Sequence, residues 1–421
     1  MSHAVVDHSR LLASDNVSLP AGAGRMASVA MIVLGLVAVG ATGAAFLTGS
    51  DDTAKRAALM GYHIGAVSVT AVSLGALAMI MALHQTGAGW GVVIRRQYEN
   101  LASQFPVCLA LFLPVIALCF VPHGGSLLWR WMDSAYTAGD PVYEAKGAFL
   151  NLPFFLIRNV IYFSVWIFVA GRLVSLSLGQ DRDGDKWRTA KARTFSAPGL
   201  LLFALTAAFA GFDWLMTLDY HFFSTMWGVY FFAIGFLAAL ATVVLTLLRL
   251  RGMGRLNGVV TTEHLHDMGK LLFGFTCFWA YIGFSQYFLI WYANIPEETG
   301  WVVTRRQGEW MSVATLLAVG KFAFPFIALL PRPARRNPLW LAFVCSWILA
   351  MTLLDIFWLV RPELIKNVPD TSLNLSWVDV VGPMGPILIY AGVFVRRIGS
   401  RPLIPLKDPR LHLSLGHKNT I

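Results

Sequence analysis

Charged residues are scarce in this sequence of 421 residues. Only 13% of the residues are charged, whereas 57% are hydrophobic. A chain with this balance has more apolar surface than one water-soluble core can bury, which excludes a water-soluble domain as its main component. The sequence therefore predicts a protein that is solvated largely by lipid.

Cysteine is also scarce, and its four positions show no ligand pattern. Cys108, Cys119, Cys277 and Cys345 all lie in apolar stretches, and no CxxC or CxxCH motif occurs. Structural zinc, iron–sulfur clusters and covalently attached haem use cysteine spacings of that kind. The sequence therefore predicts no metal site and no cofactor bound by this chain itself.

Long apolar runs make up most of the sequence. Because a helix needs about 20 apolar residues to span the hydrocarbon layer, ten of these runs can each form a transmembrane helix. The predicted fold class is an all-α integral membrane protein, with a ten-helix transmembrane domain at 27–398 between an N-terminal segment, 1–26, and a tail, 399–421. The predicted spans are 27–48, 60–84, 103–122, 148–172, 195–217, 223–249, 267–293, 309–331, 338–360 and 377–398.

Basic residues are concentrated in alternate loops between the predicted spans. Lys and Arg outnumber Asp and Glu by 33 to 23, an excess that could indicate nucleic acid as a partner. However, one set of loops holds most of them, at 95–96, 182–193, 249–255 and 332–336, and the tail adds more. Basic loops usually remain in the cytoplasm. The sequence therefore predicts membrane lipids and no nucleic acid around the chain, with both termini cytoplasmic.

Ionisable side chains inside the predicted spans are the most informative feature, because a charge at the bilayer centre costs about 2.5–3.5 kcal/mol. A rise of about 1.5 Å per helical residue places Arg158 and Lys321 near mid-membrane. Asp213 and Asp355 fall in the outer third. Further candidates are His63, Asp219 and His221 at the outer helix ends, and His264, His266, Asp267 and Lys270 on the inner side.

These residues have two interpretations. Together they could form a ladder of titratable groups that carries protons between the two faces, since burial can move the pKa values of aspartate and histidine toward neutrality. Alternatively, Arg158 and Lys321 pair with Asp213 and Asp355 only to hold helices together. The set as a whole favours the proton path, whereas each residue alone favours a structural role.

The histidines raise the question of haem b, which needs two imidazoles at one depth on facing helices. His63 and His84 lie 21 residues apart on one helix, so they are near opposite faces and cannot bind one haem. His63 and His221 could meet at the outer face. The aromatic stretch 275–292 could line a quinone channel, although aromatic belts at membrane interfaces have a similar composition.

Two segments of the sequence resemble one family of membrane proteins. The first is residues 211–232, GFDWLMTLDYHFFSTMWGVYFF. The second is residues 264–275, HLHDMGKLLFGF, continued by residues 284–298, FSQYFLIWYANIPEE. Both resemble the smaller of the two large membrane subunits, the one with ten helices, of bacterial alternative complex III, a quinol:electron-acceptor oxidoreductase. The resemblance is specific over about residues 200–310, and the ten-span pattern is compatible with it over nearly the whole chain.

The resemblance implies a fold and a setting. This family belongs with the membrane subunits of polysulfide and nitrite reductase type, whose core is two four-helix bundles, to which two further helices are added here. It implies a component of the bacterial inner membrane without its own redox centre. The expected partners are a larger homologous membrane subunit, which is the better candidate for quinol oxidation, and subunits that carry haem c and iron–sulfur clusters. A terminal oxidase is a further candidate.

The resemblance also implies that this chain conducts protons. Arg158, Lys321 and Asp355 do not come from the resemblance and are candidates by depth alone. The positions carried over from the two segments are Asp213, Asp219, His221, His264, His266, Asp267 and Lys270.

Three other functions stay open. In the first, the chain binds quinone directly, with Asp213 or His221 accepting a proton from quinol and aromatic residues holding the ring. In the second, it is an independent secondary transporter, which would show internal symmetry and paired broken helices. No such repeat is evident in the sequence. In the third, the chain is only a structural anchor for its partners.

Overall fold

The computed structural model of the protein describes residues 10–364 and 372–419. Within these ranges the chain is helical and has no β-strand, and ten helices are long and apolar enough to cross a membrane. The predicted class, an all-α multi-pass membrane protein, is therefore confirmed. In chain order the helices are α1 Arg25–Thr48, α2 Asp52–Gln85, α3 Val92–Phe120, α4 Leu152–Asp183, α5 Trp187–Leu218, α6 Trp227–Gly252, α7 Thr262–Ala293, α8 Trp310–Leu329, α9 Pro338–Leu364 and α10 Val378–Ser400.

Polar residues fix the starts of several helices. Asp51 caps α2 by accepting a hydrogen bond from the backbone N–H of Ala54 at 2.7 Å, and Asn151 caps α4 through the N–H of Phe154 at 3.0 Å. Such caps satisfy N–H groups that have no partner within the first helical turn. The end of α4 and the start of α5 lie outside the predicted apolar windows. Both helices extend into the charged residues between those windows.

The ten helices form two four-helix bundles and a flanking pair. In bundle A, which is α2–α5, α2 contacts α3 and α5, and α4 completes the ring between them. In bundle B, which is α6–α9, α6 contacts α7 and α9, and α8 completes the ring. The bundles meet along α2 and α6, while α1 and α10 pack on each other and on α2.

Glycine allows α2 to approach its neighbours closely. A methyl group at Gly75 would collide with the backbone of Gly235 on α6, and one at Gly65 would collide with the backbone of Pro383 on α10. Small residues of this kind permit close helix packing in lipid. As a result α2 is the central helix of the molecule: 83% of its apolar window is buried, against 11% for α1.

Both terminal segments pack at the end of the molecule where α1 begins and α10 finishes. We call this the terminal end, and the opposite end the far end. The backbone N–H of Leu403 donates to the carbonyl oxygen of Val17 at 2.8 Å, and the N–H of Leu256 donates to that of Asn16 at 2.9 Å. The described part of the tail therefore packs together with the N-terminal segment and the loop between α6 and α7.

The first turns of α3 are buried beneath this tail. Arg95 donates to Glu99 at 2.9 Å and to Asp408 of the tail at 2.8 Å. Arg96 donates to Glu99 at 2.8 Å and also pairs with Asp181. Burial opposes the charge on Asp408, but the positive charges of Arg95 and Arg410 and the hydrogen bonds from Arg410 together outweigh it and lower the pKa of Asp408 to about 2. The tail thus supplies one of the carboxylates that neutralise two buried arginines.

Candidate functional site

A buried ion pair links α4 and α5 in bundle A. Arg158 donates from Nε to Asp213 Oδ2 at 2.8 Å and from Nη2 to Oδ1 at 2.7 Å. Tyr162, one turn further along α4, donates its hydroxyl to Asp213 Oδ2 at 2.7 Å. The carboxylate is fully buried and is held in the two-point geometry that suits a guanidinium group.

Arg158 itself is enclosed by aromatic rings. Its Nη1 donates to the carbonyl oxygen of Phe149 at 2.9 Å, and the rings of Phe149 and Phe154 lie 3.8 and 4.4 Å from the guanidinium carbon. Arg158 is the sixth residue after Leu152, so it lies about 9 Å along α4. Because α4 continues to Asp183, Arg158 lies nearer to the far end of this helix than to its terminal end.

His63 of α2 contacts the residue that follows Asp213. Its Nε2 lies 2.8 Å from the carbonyl oxygen of Trp214, and because a carbonyl oxygen only accepts, Nε2 is the donor. Its Nδ1 is buried and has no hydrogen-bond partner among the described residues. A haem shared with His221 would require His63 to give up the bond to Trp214, and His221 to give up its contact with Asp140, which lies 2.8 Å from its Nε2.

Asp219 and His221 lie beyond the end of α5, in a far-end cluster around Asp140. The hydroxyl of Tyr220 donates to Asp140 Oδ2 at 2.6 Å, and His221 contacts the same oxygen. Asp219 Oδ1 lies 3.5 Å from the other ring nitrogen of His221. Partial burial opposes the charge on Asp140, but the hydrogen bonds, first among them that from Tyr220, outweigh it and lower its pKa. Asp140 was not among the predicted site residues.

Bundle B holds a second buried ion pair, between α8 and α9. Lys321 Nζ donates to Asp355 Oδ2 at 2.6 Å, and both side chains are fully buried. Tyr230 of α6 donates its hydroxyl to Asp355 Oδ1 at 2.9 Å, and Trp279 of α7 donates Nε1 to Oδ2 at 3.0 Å. Because the other three helices of the bundle all reach it, the carboxylate lies at the centre of bundle B.

A π-helical turn at Ala318–Ala323 carries Lys321. Trp347 of α9 donates its indole N–H to the carbonyl oxygen of Gly320 at 2.7 Å. Pro325 follows this turn and has no backbone N–H to continue the regular ladder. Such turns are rare and frequently occur at functional sites. Gly320 and Pro325 on either side of Lys321 are the sequence signal that could have indicated this irregularity.

The two ion pairs occupy equivalent places in the two bundles. In each, the third helix supplies the cation and the fourth supplies the aspartate, which also accepts a hydrogen bond from a tyrosine. The first helix of each bundle begins at the far end, so the helices also run in the same directions. The sequence did not show this correspondence, because the cation differs between the bundles and the tyrosine comes from a different helix.

A row of buried polar residues on α2 extends from His63 toward the terminal end. Thr70, Ser73 and His84 follow at spacings that keep them on roughly one side of the helix. The hydroxyl groups of Ser73 and of Tyr390 on α10 are 2.7 Å apart and share a hydrogen bond. Of this row only His63 is among the predicted candidates, and the structure adds His84 and the hydroxyl groups between them.

Several buried polar atoms in the terminal half of bundle A have no hydrogen-bond partner among the described residues. They are both ring nitrogens of His84, both side-chain amide atoms of Gln104 and the hydroxyl of Tyr98. Buried polar groups almost always bond to protein or to ordered water. These atoms therefore indicate where water is expected to enter bundle A from the terminal end.

The start of α7 carries a fourth group of predicted residues, at the terminal end. Asp267 lies 2.5 Å from Lys270 Nζ and 2.5 Å from Nε2 of His417 in the tail. His264 accepts a hydrogen bond from the backbone N–H just before the helix, and so caps it. Both ring nitrogens of His266 are buried and have no partner in the described part of the chain. The predicted residues are thus gathered into four groups.

Within the described ranges, no three His, Cys, Asp or Glu side chains lie close enough together to hold a metal ion. No protein-family model and no curated protein matches the sequence.

Proposed function

We propose that this protein is a cofactor-free membrane subunit of a quinol:electron-acceptor oxidoreductase of the alternative complex III type, and that it provides part of a proton path. The observation that carries this proposal is the buried Lys321–Asp355 pair at the centre of bundle B. A fully buried pair of charges is costly to form and is a weak source of stability, so a pair at this depth favours a functional role.

Proton exchange is chemically available to this pair. Lys321 Nζ and Asp355 Oδ2 are 2.6 Å apart, so a proton can pass between them along an existing hydrogen bond. The transfer leaves both groups neutral, which lowers the cost of keeping them in apolar surroundings. Tyr230 already contacts Asp355 and orients its carboxyl group.

Bundle A is proposed to supply the connection to the terminal end. The row of His63, Thr70 and Ser73 offers groups that donate and accept hydrogen bonds, and the unpartnered atoms of His84 and Gln104 support hydration next to it. Water molecules must bridge these side chains, because successive members of the row are farther apart along α2 than the length of one hydrogen bond.

The proposed setting is the bacterial inner membrane, with both termini in the cytoplasm, so that the terminal end faces the cytoplasm. Electrons would move in partner subunits that carry haem c and iron–sulfur clusters, while the larger homologous subunit oxidises quinol. A terminal oxidase is a further proposed partner. The resemblance of residues 211–232, 264–275 and 284–298 and the distribution of basic loops support this setting.

Purification in mild detergent through a tag on this chain tests the proposed partners. Haem spectra and mass spectrometry would identify every subunit that accompanies it. We expect multihaem cytochrome and iron–sulfur subunits together with a larger homologous membrane protein. A stable, colourless protein recovered alone would contradict the proposal and favour an independent transporter.

The proton path is tested by Asp355→Asn in the purified complex, reconstituted in liposomes with a pH-sensitive dye. We expect most of the complex to be retained, while proton movement per quinol oxidised is lost. Asp379→Asn is the matched control, because it removes another buried carboxylate, held by Arg361 at 2.7 Å at the far end. This control should leave the proton ratio unchanged, and an unchanged ratio in Asp355→Asn would refute the path.

A structural anchor is the second candidate, and the Arg158–Asp213 pair favours it. The carboxylate of Asp213 is buried and saturated by Arg158 and Tyr162, as expected of a contact that holds two helices. If the whole chain is an anchor, single variants of either pair should lower the amount of complex and its activity in step.

A further inference from the structure

A cavity of about 750 Å³ lies in the far half of bundle B, among α6, α7 and α8. Its walls are rich in aromatic side chains, which include Trp227, Tyr230, Trp279, Tyr287 and Trp301. Cavities of this size and composition hold drug-sized ligands whose orientation is fixed by a few polar groups.

The cavity opens where α7 and α8 separate. The helices contact each other through the π turn and the last part of α8, Phe324–Leu329, whereas Met311 and Ala314 in its first part line the cavity. Tyr281 and Phe284 of α7 also line it and are 66% and 64% exposed. Because both helices are membrane spans, this opening faces lipid and admits molecules that are dissolved in the membrane.

The wall of the cavity also contains hydrogen-bond donors without acceptors. The indole N–H groups of Trp227 and Trp358 are buried, and neither has an acceptor among the described residues. Gln286 adds a third donor, because its Nε2 reaches only the carbonyl oxygen of Ile282, at 3.4 Å, while its Oε1 accepts from Ser224. An acyl chain offers no acceptor to these groups. A ligand that uses them must carry carbonyl or similar oxygens.

We propose that this cavity binds the ring of a membrane quinone, with the isoprenoid tail leaving between α7 and α8. A quinone ring is planar, so it stacks on aromatic walls, and its two carbonyl oxygens accept hydrogen bonds at opposite edges. Tyr230 connects the site to the ion pair, because it lines the cavity and donates its hydroxyl to Asp355. The proposed binding does not depend on a proton path, and it lies in bundle B rather than at Asp213 or His221.

Photolabelling of the full chain tests this site. The protein, with the subunits that accompany it, is placed in nanodiscs of synthetic phosphatidylcholine free of quinone and exposed to an azido-ubiquinone. We expect labelled peptides from α7 or α8 of this chain, and loss of the label when decylubiquinone competes. Mapping the peptides separates this site from any quinone site in a partner protein, and the readout does not involve proton movement.

Two tryptophan variants on α8 provide the matched comparison. Ala314→Trp fills the cavity and should lower labelling about tenfold or more. Leu316→Trp adds the same ring on the same helix at a position that is 46% exposed and does not line the cavity, so labelling should be unchanged. Should Ala314→Trp fail to fold, Trp227→Phe removes one donor while keeping a ring and should also weaken labelling.

Three outcomes would overturn the proposal. The first is an absence of label on α7 and α8 in the native sequence. The second is equal labelling of Ala314→Trp and Leu316→Trp, which would place the ligand elsewhere. The third is native mass spectrometry that finds a retained phospholipid, lost in Ala314→Trp, without quinone labelling; that result would assign the cavity to an acyl chain with its head group near Arg306 at the rim.

Discussion

Bundles A and B place a buried pair of a cation and an aspartate between their third and fourth helices, but they build it differently. In bundle A, Arg158 donates two hydrogen bonds to Asp213 and is enclosed by phenylalanine rings. In bundle B, Lys321 contacts Asp355 at one point from a π turn, beside a large cavity that Tyr230 lines.

This difference distinguishes a contact that can only hold helices from one that can also exchange a proton. A guanidinium group remains protonated in proteins, whereas a buried ammonium group can release its proton. Asp213 therefore always faces a positive charge, while Asp355 faces a partner that can become neutral. Equivalent positions in the two bundles thus need not have equivalent roles.

The largest expected effect is that of Asp213→Asn. The variant leaves Arg158 buried and charged with no counter-ion. We expect the free energy of unfolding to fall by about 3–5 kcal/mol. The amount of folded protein on size-exclusion chromatography and its melting temperature in detergent would measure this loss. The double variant Arg158→Leu with Asp213→Leu should recover much of it. A stable single variant would remove the proposed distinction between the bundles.

Asp355→Asn should lower the free energy of unfolding by a smaller amount, about 1–3 kcal/mol, which is the range for a buried polar group that loses its hydrogen-bond partner. The cost is smaller because Lys321 can become neutral when its carboxylate is removed, whereas Arg158 cannot. The same melting measurements compare the two variants directly. If Asp355→Asn destabilised the protein as much as Asp213→Asn, the lysine would be as permanently charged as the arginine, and proton exchange in bundle B would lose its support.

Arg158→Lys gives bundle A the cation of bundle B. We expect a stable protein that loses about 0.5–1.5 kcal/mol, because the second hydrogen bond to Asp213 is lost while the ion pair remains. The proton ratio in liposomes should not change, since the proposed exchange takes place in bundle B. A large fall in this ratio with normal amounts of complex would show that bundle A takes part in more than holding helices.

The smallest expected effect concerns pH and the tail, outside both bundles. The pKa of Asp408 is lowered to about 2, so its stabilising contribution, about 2 kcal/mol, is complete above its ordinary value near 3.8 and is lost as pH falls toward 2. Hydrogen exchange of residues 401–419 should therefore show no loosening between pH 8 and 5.

Asp408→Asn is the control for that measurement and should loosen the tail at every pH. If the native tail loosened between pH 8 and 5, the contact with Arg95 would not be its main restraint. If it does not, any change in proton coupling over that range must originate in groups other than Asp408.

Much of the architecture follows from the sequence, because apolar runs and the cost of buried charge are local properties. The ten predicted spans are confirmed as ten long apolar helices. Arg158 pairs with Asp213 and Lys321 pairs with Asp355, the contacts on which the structural interpretation was based. The apolar windows do not mark the ends of α4 and α5, because both helices extend into charged residues outside the predicted spans. Gly320 and Pro325 are local signals for the π turn at Lys321, whereas the hydrogen bond from Trp347 to Gly320 depends on the packing of α8 against α9.

The partners supplied from distant parts of the chain could not be predicted. Asp140, which contacts His221, and His417, which contacts Asp267, lie in a loop and in the tail. Loop and tail residues carry no periodic pattern, so their position depends on the assembled bundle. Tyr390 likewise meets Ser73 only because α10 packs on α2, a contact between helices that are far apart in sequence.

Asp408 is synthesised 313 residues after Arg95, yet the two side chains pair in the finished protein. During translation the buried turn that begins α3 must therefore remain incompletely neutralised until the ribosome has passed the last transmembrane helix. A chain that terminates before residue 408 lacks this carboxylate and leaves Arg95, in the first turns of α3, with Glu99 as its remaining ion-pair partner.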